Sequence, residues 1–450
     1  MSSATLTRLR EEYLARRPTL PESVIGAARR SEAIETLCAE GLPSTGEENW
    51  RYTNLRILER ARFTPALEAM QPLPPLPAPL AGFARYVFVD GQLRSGASDP
   101  RGVSVRSLRS SGSAAEPWQF AAQLPEARLA LLNEAFATDA ATIDVRGEAE
   151  SAGIELVFVA ASGAQSGAVY PRVRLALQPG AQLTVVERHL GAGEGSSLVN
   201  SAVRVELADN ARLTHYRVQD CGTRAAWFDT LSAQLSTDAR YDLLLVSTGA
   251  LTARSTVHAR LTGNGAELAL SAAALGEGQQ SLDMYALSEH LASHTRTQQT
   301  FRGIASDRAR VAFNGKIAVH EQARGTDSRQ SLRGLLAGGQ AEIDLRPQLE
   351  IYTDEVRCSH GASAGKLDEN MLFYLLSRGL APEVAQQLLK WAFLEDVVSR
   401  IAPADLRRQI ELGLAGQMSE AATLKEVLLA LSVPTPCRSM PSGCARIFRS

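Results

Sequence analysis

One short motif, repeated about every 30 residues, limits the folds open to this chain more than any other feature. Each copy has a turn residue, an alanine, any residue, an apolar residue, any residue and often a second apolar residue. The spacings between the alanines are 30, 28, 27, 43 and 32 residues. Because alternate side chains share one face of a strand, each copy predicts a strand that faces a common interior. The motif alanines are Ala181, Ala211, Ala239, Ala266, Ala309 and Ala341.

The period of this repeat predicts the fold class. Strands that recur near 30 residues with no helical pattern between them are typical of stacked coils of sheet, as in a β-solenoid or β-helix. An antiparallel sandwich is the alternative, because its turns also recur regularly. The pattern favours the solenoid, so we expect a mainly β protein with a β-helix core and helical regions on both sides.

Changes in composition divide the chain into five predicted segments. Apolar residues at three- and four-residue spacing indicate helices near both ends, as at Leu6 and Leu9 and again at Leu389 and Phe393. The predicted segments are an N-terminal helical domain (1–70), a proline-rich linker and mixed connecting region (71–149), the β-helix core (150–365), a C-terminal helical domain (366–433) and a disordered tail (434–450).

The C-terminal helical pattern also predicts where helices begin and end. Pro382 should open one helix, whose apolar stripe continues to Ile401. Pro403 should end that helix and lie in the first turn of the next. A further helix is predicted at 421–431.

The bulk composition excludes several classes of protein. With 47 Lys and Arg against 49 Asp and Glu, the formal net charge of −2 gives no electrostatic footprint for nucleic acid or an anionic membrane. No apolar run approaches the roughly 20 residues that a membrane helix needs. The five cysteines show no paired spacing, and no apolar signal segment follows Met1. We therefore expect a reduced, cytoplasmic protein.

Cys358 and His360 are the strongest candidates for a chemical site. They follow the strand-like segment 349–352 and lie two residues apart, which places both side chains on one face of an extended backbone. A thiolate and an imidazole suit iron, zinc or copper, but they supply only half of a tetrahedral site. The missing ligands would come from elsewhere in the fold or from another chain. The alternative is a half-buried cysteine beside a loop histidine.

Three other patterns have simpler interpretations. His290 and His294 lie in a turn-to-strand context, where four residues span about 13 Å, so we expect structural or surface histidines. The stretch 361–367 resembles a phosphate-binding loop but lacks the required glycine spacing and hydroxyl, so we expect no ATP site. A group of acidic residues favours a solvated strand face over the carboxylates of a β-helix carbohydrate enzyme. These residues are Glu342, Asp344, Glu350, Asp354 and Glu355.

The region from about 300 to 400 resembles the SufB/SufD family of iron–sulfur cluster assembly proteins. The resemblance rests on the order and spacing of several segments, and the segment 48–53 is similar to one found after the N-terminal helices of SufD-type members. With five cysteines and no Cys-x-x-Cys, the chain resembles the SufD branch more than the SufB branch. The matching segments are 313–316, Thr326, Gln330, 335–336, 341–342, 347–351, 354–362, Gly365, 367–368, 372–375 and 377–379.

This resemblance implies a fold, partners and a role. The family fold is a right-handed β-helix between helical regions. The implied role is a non-catalytic scaffold subunit that pairs with SufB and docks the SufC ATPase through its C-terminal helices. Cys358 and His360 would lie at the SufB interface as ligands of a transient iron–sulfur cluster shared with SufB. The implied docking residues for SufC are Phe373, Tyr374, Arg378 and Gly379.

Other roles remain open at the level of sequence. A SufB-like main scaffold acting as a homodimer is the nearest alternative, and the isolated chain is a possible homodimer in either case. A β-helix carbohydrate-active enzyme is an alternative of another class. A third is an adaptor that holds SufC and contributes no metal ligand.

Overall fold

The computed structural model describes residues 3–60, 62–66, 75–111, 125–147, 152–161, 167–191 and 195–418. The helices are α1 (Ser3–Arg16), α2 (Ala27–Glu40), α3 (Arg56–Arg60), α4 (Leu108–Ser111), α5 (Ala130–Phe136), α6 (Glu369–Ser377), α7 (Pro382–Val398) and α8 (Ala404–Met418). The strands are β1 (Thr64–Pro65), β2 (Phe83–Val89), β3 (Gln92–Gly96), β4 (Val103–Ser107), β5 (Ala141–Val145), β6 (Ala152–Ala160), β7 (Gly167–Val169), β8 (Arg172–Leu177), β9 (Gln182–Gly191), β10 (Leu198–Leu207), β11 (Arg212–Asp220), β12 (Ala226–Leu235), β13 (Arg240–Ser247), β14 (Thr252–Leu261), β15 (Glu267–Gly276), β16 (Ser281–His290), β17 (Arg296–Ala305), β18 (Arg310–Val319), β19 (Thr326–Leu336), β20 (Glu342–Ile351) and β21 (Val356–Gly365).

The described strands form two sheets that the chain visits alternately. Sheet 1 has 11 strands along the path β20-β18-β16-β14-β12-β10-β8-β5-β4, with β1 and β7 off that path, and sheet 2 has 10 in the order β21-β19-β17-β15-β13-β11-β9-β6-β2-β3. From β8 and β9 onward each strand pairs in parallel with the strand two positions further along the chain. This alternation is the winding of a solenoid, so the predicted β-solenoid is confirmed and the antiparallel sandwich is wrong.

The repeated motif lines the interior between the two sheets. Ala181, Ala211, Ala239 and Ala266 are fully buried just before strands of sheet 2. Ala309 and Ala341 instead precede strands of sheet 1. The irregular spacing of 43 residues lies between Ala266, which precedes a strand of sheet 2, and Ala309, which precedes a strand of sheet 1.

Turn residues with a left-handed backbone recur at the same place in successive coils. Gly180, Asn210, Asp238 and Gly265 all have positive φ immediately before the motif alanine. His294 occupies the equivalent position before β17 with a φ of 59°. Non-glycine residues rarely adopt this conformation, and it is most accessible to asparagine and aspartate. His294 is thus an exposed turn residue, as the sequence predicted.

Helices cover the outer faces of the two sheets. Helices α1, α2 and α5 pack on sheet 1, where Tyr13, Ile34 and Phe136 share a core with Phe228. Helices α7 and α8 cover sheet 2, where Leu394 and Leu414 belong to a core that includes strand residues of sheet 2. No described helix is both long enough and apolar enough to span a membrane.

Several predicted boundaries move by a few residues. Pro382 opens α7 as predicted, but α7 ends at Val398, before Ile401. Pro403 precedes α8 and does not lie within its first turn, because α8 begins at Ala404. The predicted helix at 421–431 and the predicted tail at 434–450 lie outside the described residues.

A buried charge cluster crosses the solenoid interior and links the two sheets. Arg217 of sheet 2 contacts Glu187 at 2.7 Å and Asp229 of sheet 1 at 2.5 Å. His189 and His215 also contact Glu187, at 2.6 and 3.1 Å. Burial opposes ionisation of Glu187, but the charge of Arg217 and the two histidine hydrogen bonds outweigh it and hold the pKa of this carboxyl well below its usual range. The carboxylate and guanidinium therefore depend on one another.

Arg217→Met tests this dependence. The substitution leaves Glu187 and Asp229 buried without their cation, so we expect the free energy of unfolding to fall by about 3–5 kcal/mol. Urea unfolding followed by circular dichroism measures the loss. Arg240→Met is the control, because Arg240 pairs with Asp242 in an exposed setting and should cost less than about 1 kcal/mol. Equal losses in the two variants would contradict this account.

Candidate functional site

Cys358 and His360 lie on β21, the last strand of sheet 2. Their register partners on β19 are Ser328 and Gln330, both of which are buried. Residues paired in register point to the same side of a sheet, so Cys358 and His360 face the solenoid interior. Cys358 is half-buried and packs with a small apolar group that includes Ile317, whereas His360 is exposed. The predicted pair therefore shares one face at the open end of the solenoid.

The last coil contributes an edge strand to each sheet. Strands β20 and β21 end sheets 1 and 2, and each has a paired neighbour on one side only. Within the described residues their outer edges have no pairing strand, and the backbone groups of an edge strand are a template for pairing with another chain. Ile351, the last residue of β20, is 40% exposed, and Tyr352 directly after it is 60% exposed. The edge strands and these exposed apolar side chains therefore lie together at this end of the solenoid.

The interior becomes polar just behind the pair. On β15 the inward positions are Leu268 and Leu270, both buried in the main core. The same register positions hold Thr297 and Gln299 on β17, then Ser328 and Gln330 on β19. Two coils of buried polar side chains therefore underlie Cys358 and His360. Sequence reasoning missed these residues, although the polar run 297–300 after a turn was a visible signal.

Cys358 and His360 have no third partner for a metal within the chain as described. No group of three or more His, Cys, Asp or Glu residues in the described ranges is arranged to hold a metal ion. The cysteines in those ranges, Cys38, Cys221 and Cys358, are free thiols. The pair alone could supply two of the four ligands that a tetrahedral metal site needs.

The segment 48–53 packs across the outer face of sheet 1 and reaches the last coil. Trp50 is buried with the guanidinium of Arg254 3.8 Å from its ring centroid. Glu48 pairs with Arg346 of β20. Asn49 accepts a hydrogen bond of 3.1 Å from Asn314, whose own carbonyl accepts one of 2.7 Å from Gln348. The N-terminal region therefore holds the strand that ends sheet 1.

Helix α6 presents an unburied apolar surface. Asp368 caps it by accepting from two backbone N–H groups, and none of its residues is buried. Phe373 is 72% exposed and Tyr374 43%, with the guanidinium of Arg378 5.1 Å from the Tyr374 ring centroid. Gly379 turns the chain toward α7 with a φ of 88°, where a side chain would be strained. The predicted docking residues thus lie together on one hairpin.

The remaining candidates have structural roles. His290 is buried and its Nδ1 lies 2.7 Å from the Thr295 hydroxyl. Glu342 and Asp344 pair with Arg310, and Glu350 pairs with Lys316 at 2.8 Å. Asp354 and Glu355 are exposed. The acidic residues therefore form surface ion pairs or meet solvent, as expected of an outward strand face.

A family model described as "SUF system FeS cluster assembly, SufBD core domain" matches residues 158–393, which is more than half of the chain. The chain belongs to the SufBD family. The match begins in β6 and ends in α7, so it includes most of the solenoid, the Cys358–His360 pair and the α6 hairpin.

Individual relatives give the same result. The iron–sulfur cluster assembly protein SufD of Escherichia coli (strain K12) is 29% identical over 385 residues, or 84% of this chain and 89% of the relative. The SufBD family protein slr0076 of Synechocystis is 26% identical over 410 residues, or 86% and 90%. The chloroplastic protein ABCI7 of Arabidopsis thaliana is 29% identical over 243 residues, or 53% and 51%. The predicted resemblance to the SufBD family and its SufD branch is confirmed.

The contacts of the segment 48–53 can be tested by hydrogen–deuterium exchange. In a Glu48→Ala/Asn49→Ala variant, β20 loses its ion pair at Arg346 and the neighbouring β18 loses the hydrogen bond at Asn314, which are worth about 1–2 kcal/mol together. We expect backbone amides of β20 to exchange about 5–30 times faster. Asn54→Ala is the control, since the exposed Asn54 side chain accepts a hydrogen bond from the nearby Arg56 backbone N–H and is not on β20. Unchanged exchange in β20 would show that this segment does not hold the strand.

Proposed function

We propose that this protein is a non-catalytic scaffold subunit of a SufBCD complex for iron–sulfur cluster assembly. It would pair with SufB through the open end of its solenoid and dock SufC through its C-terminal helices. The observation that carries this proposal is the position of Cys358 and His360, side by side on the inward face of a terminal strand. The E. coli relative is named as an iron–sulfur cluster assembly protein, and the three cysteines among the described residues are free thiols, which fits the reducing cytoplasm.

The side chains of Cys358 and His360 suit a cluster that is bound transiently and then passed on. A thiolate and an imidazole are ligands for iron and its sulfide clusters. A cluster that must later leave needs an incomplete and accessible ligand set, which the exposed His360 and half-buried Cys358 provide. The neutral imidazole binds iron without first losing a proton, whereas the thiol must ionise. SufB side chains would complete the coordination.

The edges of β20 and β21 support SufB as the partner at the end of the solenoid. The exposed α6 hairpin supports SufC as the partner of the C-terminal helices. An exposed aromatic such as Phe373 is typical of the anchor residues of an interface. The free edges also allow a second copy of this chain to pair when SufB is absent, so the isolated protein is a possible homodimer.

Metal content of the assembled complex tests the role of the pair. We expect His360→Ala and Cys358→Ala to lower iron and acid-labile sulfide several-fold in the anaerobically co-expressed complex, because each removes a ligand. Ser359→Ala, on the outward face between them, is the matched control and should leave both contents unchanged. Gel filtration checks that each complex assembles.

Two results would contradict this proposal, the first on the ligand role and the second on the role of the chain within the complex. Equal iron and sulfide in all variants would make the chain an adaptor without ligands. A full cluster bound by the isolated wild-type chain would instead favour a SufB-like main scaffold acting as a homodimer.

Phe373→Asp tests the docking surface. It places a charge in the centre of the exposed α6 face, so we expect affinity for SufC to fall at least 10-fold, as for loss of an interface anchor. Isothermal titration calorimetry with purified SufC measures the change. Leu14→Asp is the control, since Leu14 is 53% exposed on α1. An equal loss in both variants, or in neither, would contradict docking through α6.

A further inference from the structure

We propose that Gln330 is a positioning residue for His360, whose imidazole donates a ring N–H to the Gln330 side-chain oxygen Oε1. This inference deepens the proposed function, because it states how the more exposed of the two ligands is oriented. It depends on three features of the coil beneath the pair: a fixed amide, an unused acceptor and a shared register.

The Gln330 amide is fixed in orientation by its neighbours. Its Nε2 donates to the Gly315 carbonyl at 3.0 Å and to Gln299 Oε1 at 2.9 Å. A backbone carbonyl can only accept, so the nitrogen of Gln330 must face Gly315 and the oxygen must point away. Gln299 is held in turn, because its own Nε2 donates to the Ser288 hydroxyl at 3.0 Å.

Gly315 keeps room for this arrangement. A Cβ at position 315 would lie 2.6 Å from Gln299 Oε1 and 2.9 Å from Gln330 Nε2, distances that normal packing does not allow. The absence of a side chain therefore lets the two glutamines meet inside the solenoid. Gly315 belongs to the segment 313–316, which is part of the resemblance to the family, and this contact gives a physical reason for a glycine there.

The remaining oxygen of Gln330 is buried and unused. Gln330 is 4% exposed, and its Oε1 has no hydrogen-bond partner within the described residues. A buried acceptor without a partner costs about 1–3 kcal/mol. Such a cost is offset when a donor arrives, so an unpartnered oxygen at the floor of a candidate ligand site points to a group that the site binds or orients.

His360 is the register partner of Gln330 on β21, and its ring can donate an N–H. It pairs with Gln330 across neighbouring strands, which lie about 4.8 Å apart, and both side chains face the interior. Both side chains are long enough to bridge that spacing, and the exposed imidazole is free to rotate toward the buried oxygen. Ser328, the register partner of Cys358, has a hydroxyl that also finds no hydrogen-bond partner among the described residues, but Cys358 is already held by apolar contacts.

The hydrogen bond would decide which ring nitrogen is available. When one imidazole nitrogen donates its proton to a fixed acceptor, the other carries the lone pair and points away from it. Gln330 would thereby present a single nitrogen of His360 toward the open end of the solenoid. The ligand would be oriented before iron or the partner arrives.

A nuclear magnetic resonance experiment on the metal-free chain tests this directly. In protein with ¹⁵N-labelled histidine near pH 8, a hydrogen-bonded ring N–H is protected from water and gives a proton signal, whereas an unprotected one exchanges too fast to be seen. We expect such a signal for His360 in the wild type, assigned by its loss in His360→Ala. Absence of that signal in the wild-type protein would overturn the proposal without any Gln330 variant.

Variants of two glutamines separate orientation from folding. Gln330→Met keeps the length of the side chain and removes the acceptor, so the His360 ring signal should vanish while thermal unfolding stays cooperative. Gln298→Met makes the same exchange at an exposed position on β17 and should leave the signal intact. Persistence of the ring signal in Gln330→Met would show that another group orients His360.

The cluster-loaded complex gives an independent measurement. Loss of an outer partner of a metal-binding histidine typically lowers metal affinity 10–100-fold, so we expect Gln330→Met to lower iron and sulfide content at least several-fold. If His360→Ala lowers iron and Gln330→Met does not, the positioning role is wrong while the proposed function stands. If His360→Ala has no effect on iron, the proposed ligand role of His360 fails, and the ring signal still decides whether the hydrogen bond forms.

Discussion

In-register parallel pairing between coils is the interaction on which the rest of this structure depends. Each strand lies beside the matching strand of the previous coil, so each side chain points to the same side as its partner. The inward direction of Cys358 and His360 follows from the inward direction of Ser328 and Gln330. A slip of one residue between β19 and β21 would turn both candidate ligands to the outer face.

The interior changes in character along the solenoid axis. The middle coils fill it with apolar side chains such as Leu243 and Leu270, which supply hydrophobic stabilisation. The coils near β19 place amides and hydroxyls there, several of them with unpaired atoms. Buried polar atoms without partners lower the stability of the fold. The end of the solenoid that carries Cys358 and His360 therefore depends on the apolar coils for its stability. Local opening is therefore expected to begin at that end.

The fold was predictable to the extent that the interior is apolar. The alanine motif revealed the solenoid because alternating apolar residues mark an inward face wherever they occur. The same reasoning missed the coils that begin at Thr295 and Thr326, since polar residues facing inwards look like residues facing solvent. Cys358 and His360 could be found from their residue types and spacing. Gln330 could not be assigned beneath His360, because that register depends on the lengths of the intervening turns.

The contact between Glu48 and Arg346 has a consequence for the order of events during synthesis. The two residues are 298 positions apart in the chain. At ribosomal rates of 5–20 residues per second, roughly 15–60 s pass between the synthesis of the segment 48–53 and the synthesis of β20. The solenoid can lengthen coil by coil in the meantime, since each coil needs only the one before it. Closure of the N-terminal segment over β20 would thus report that the final coil of a newly made chain is complete.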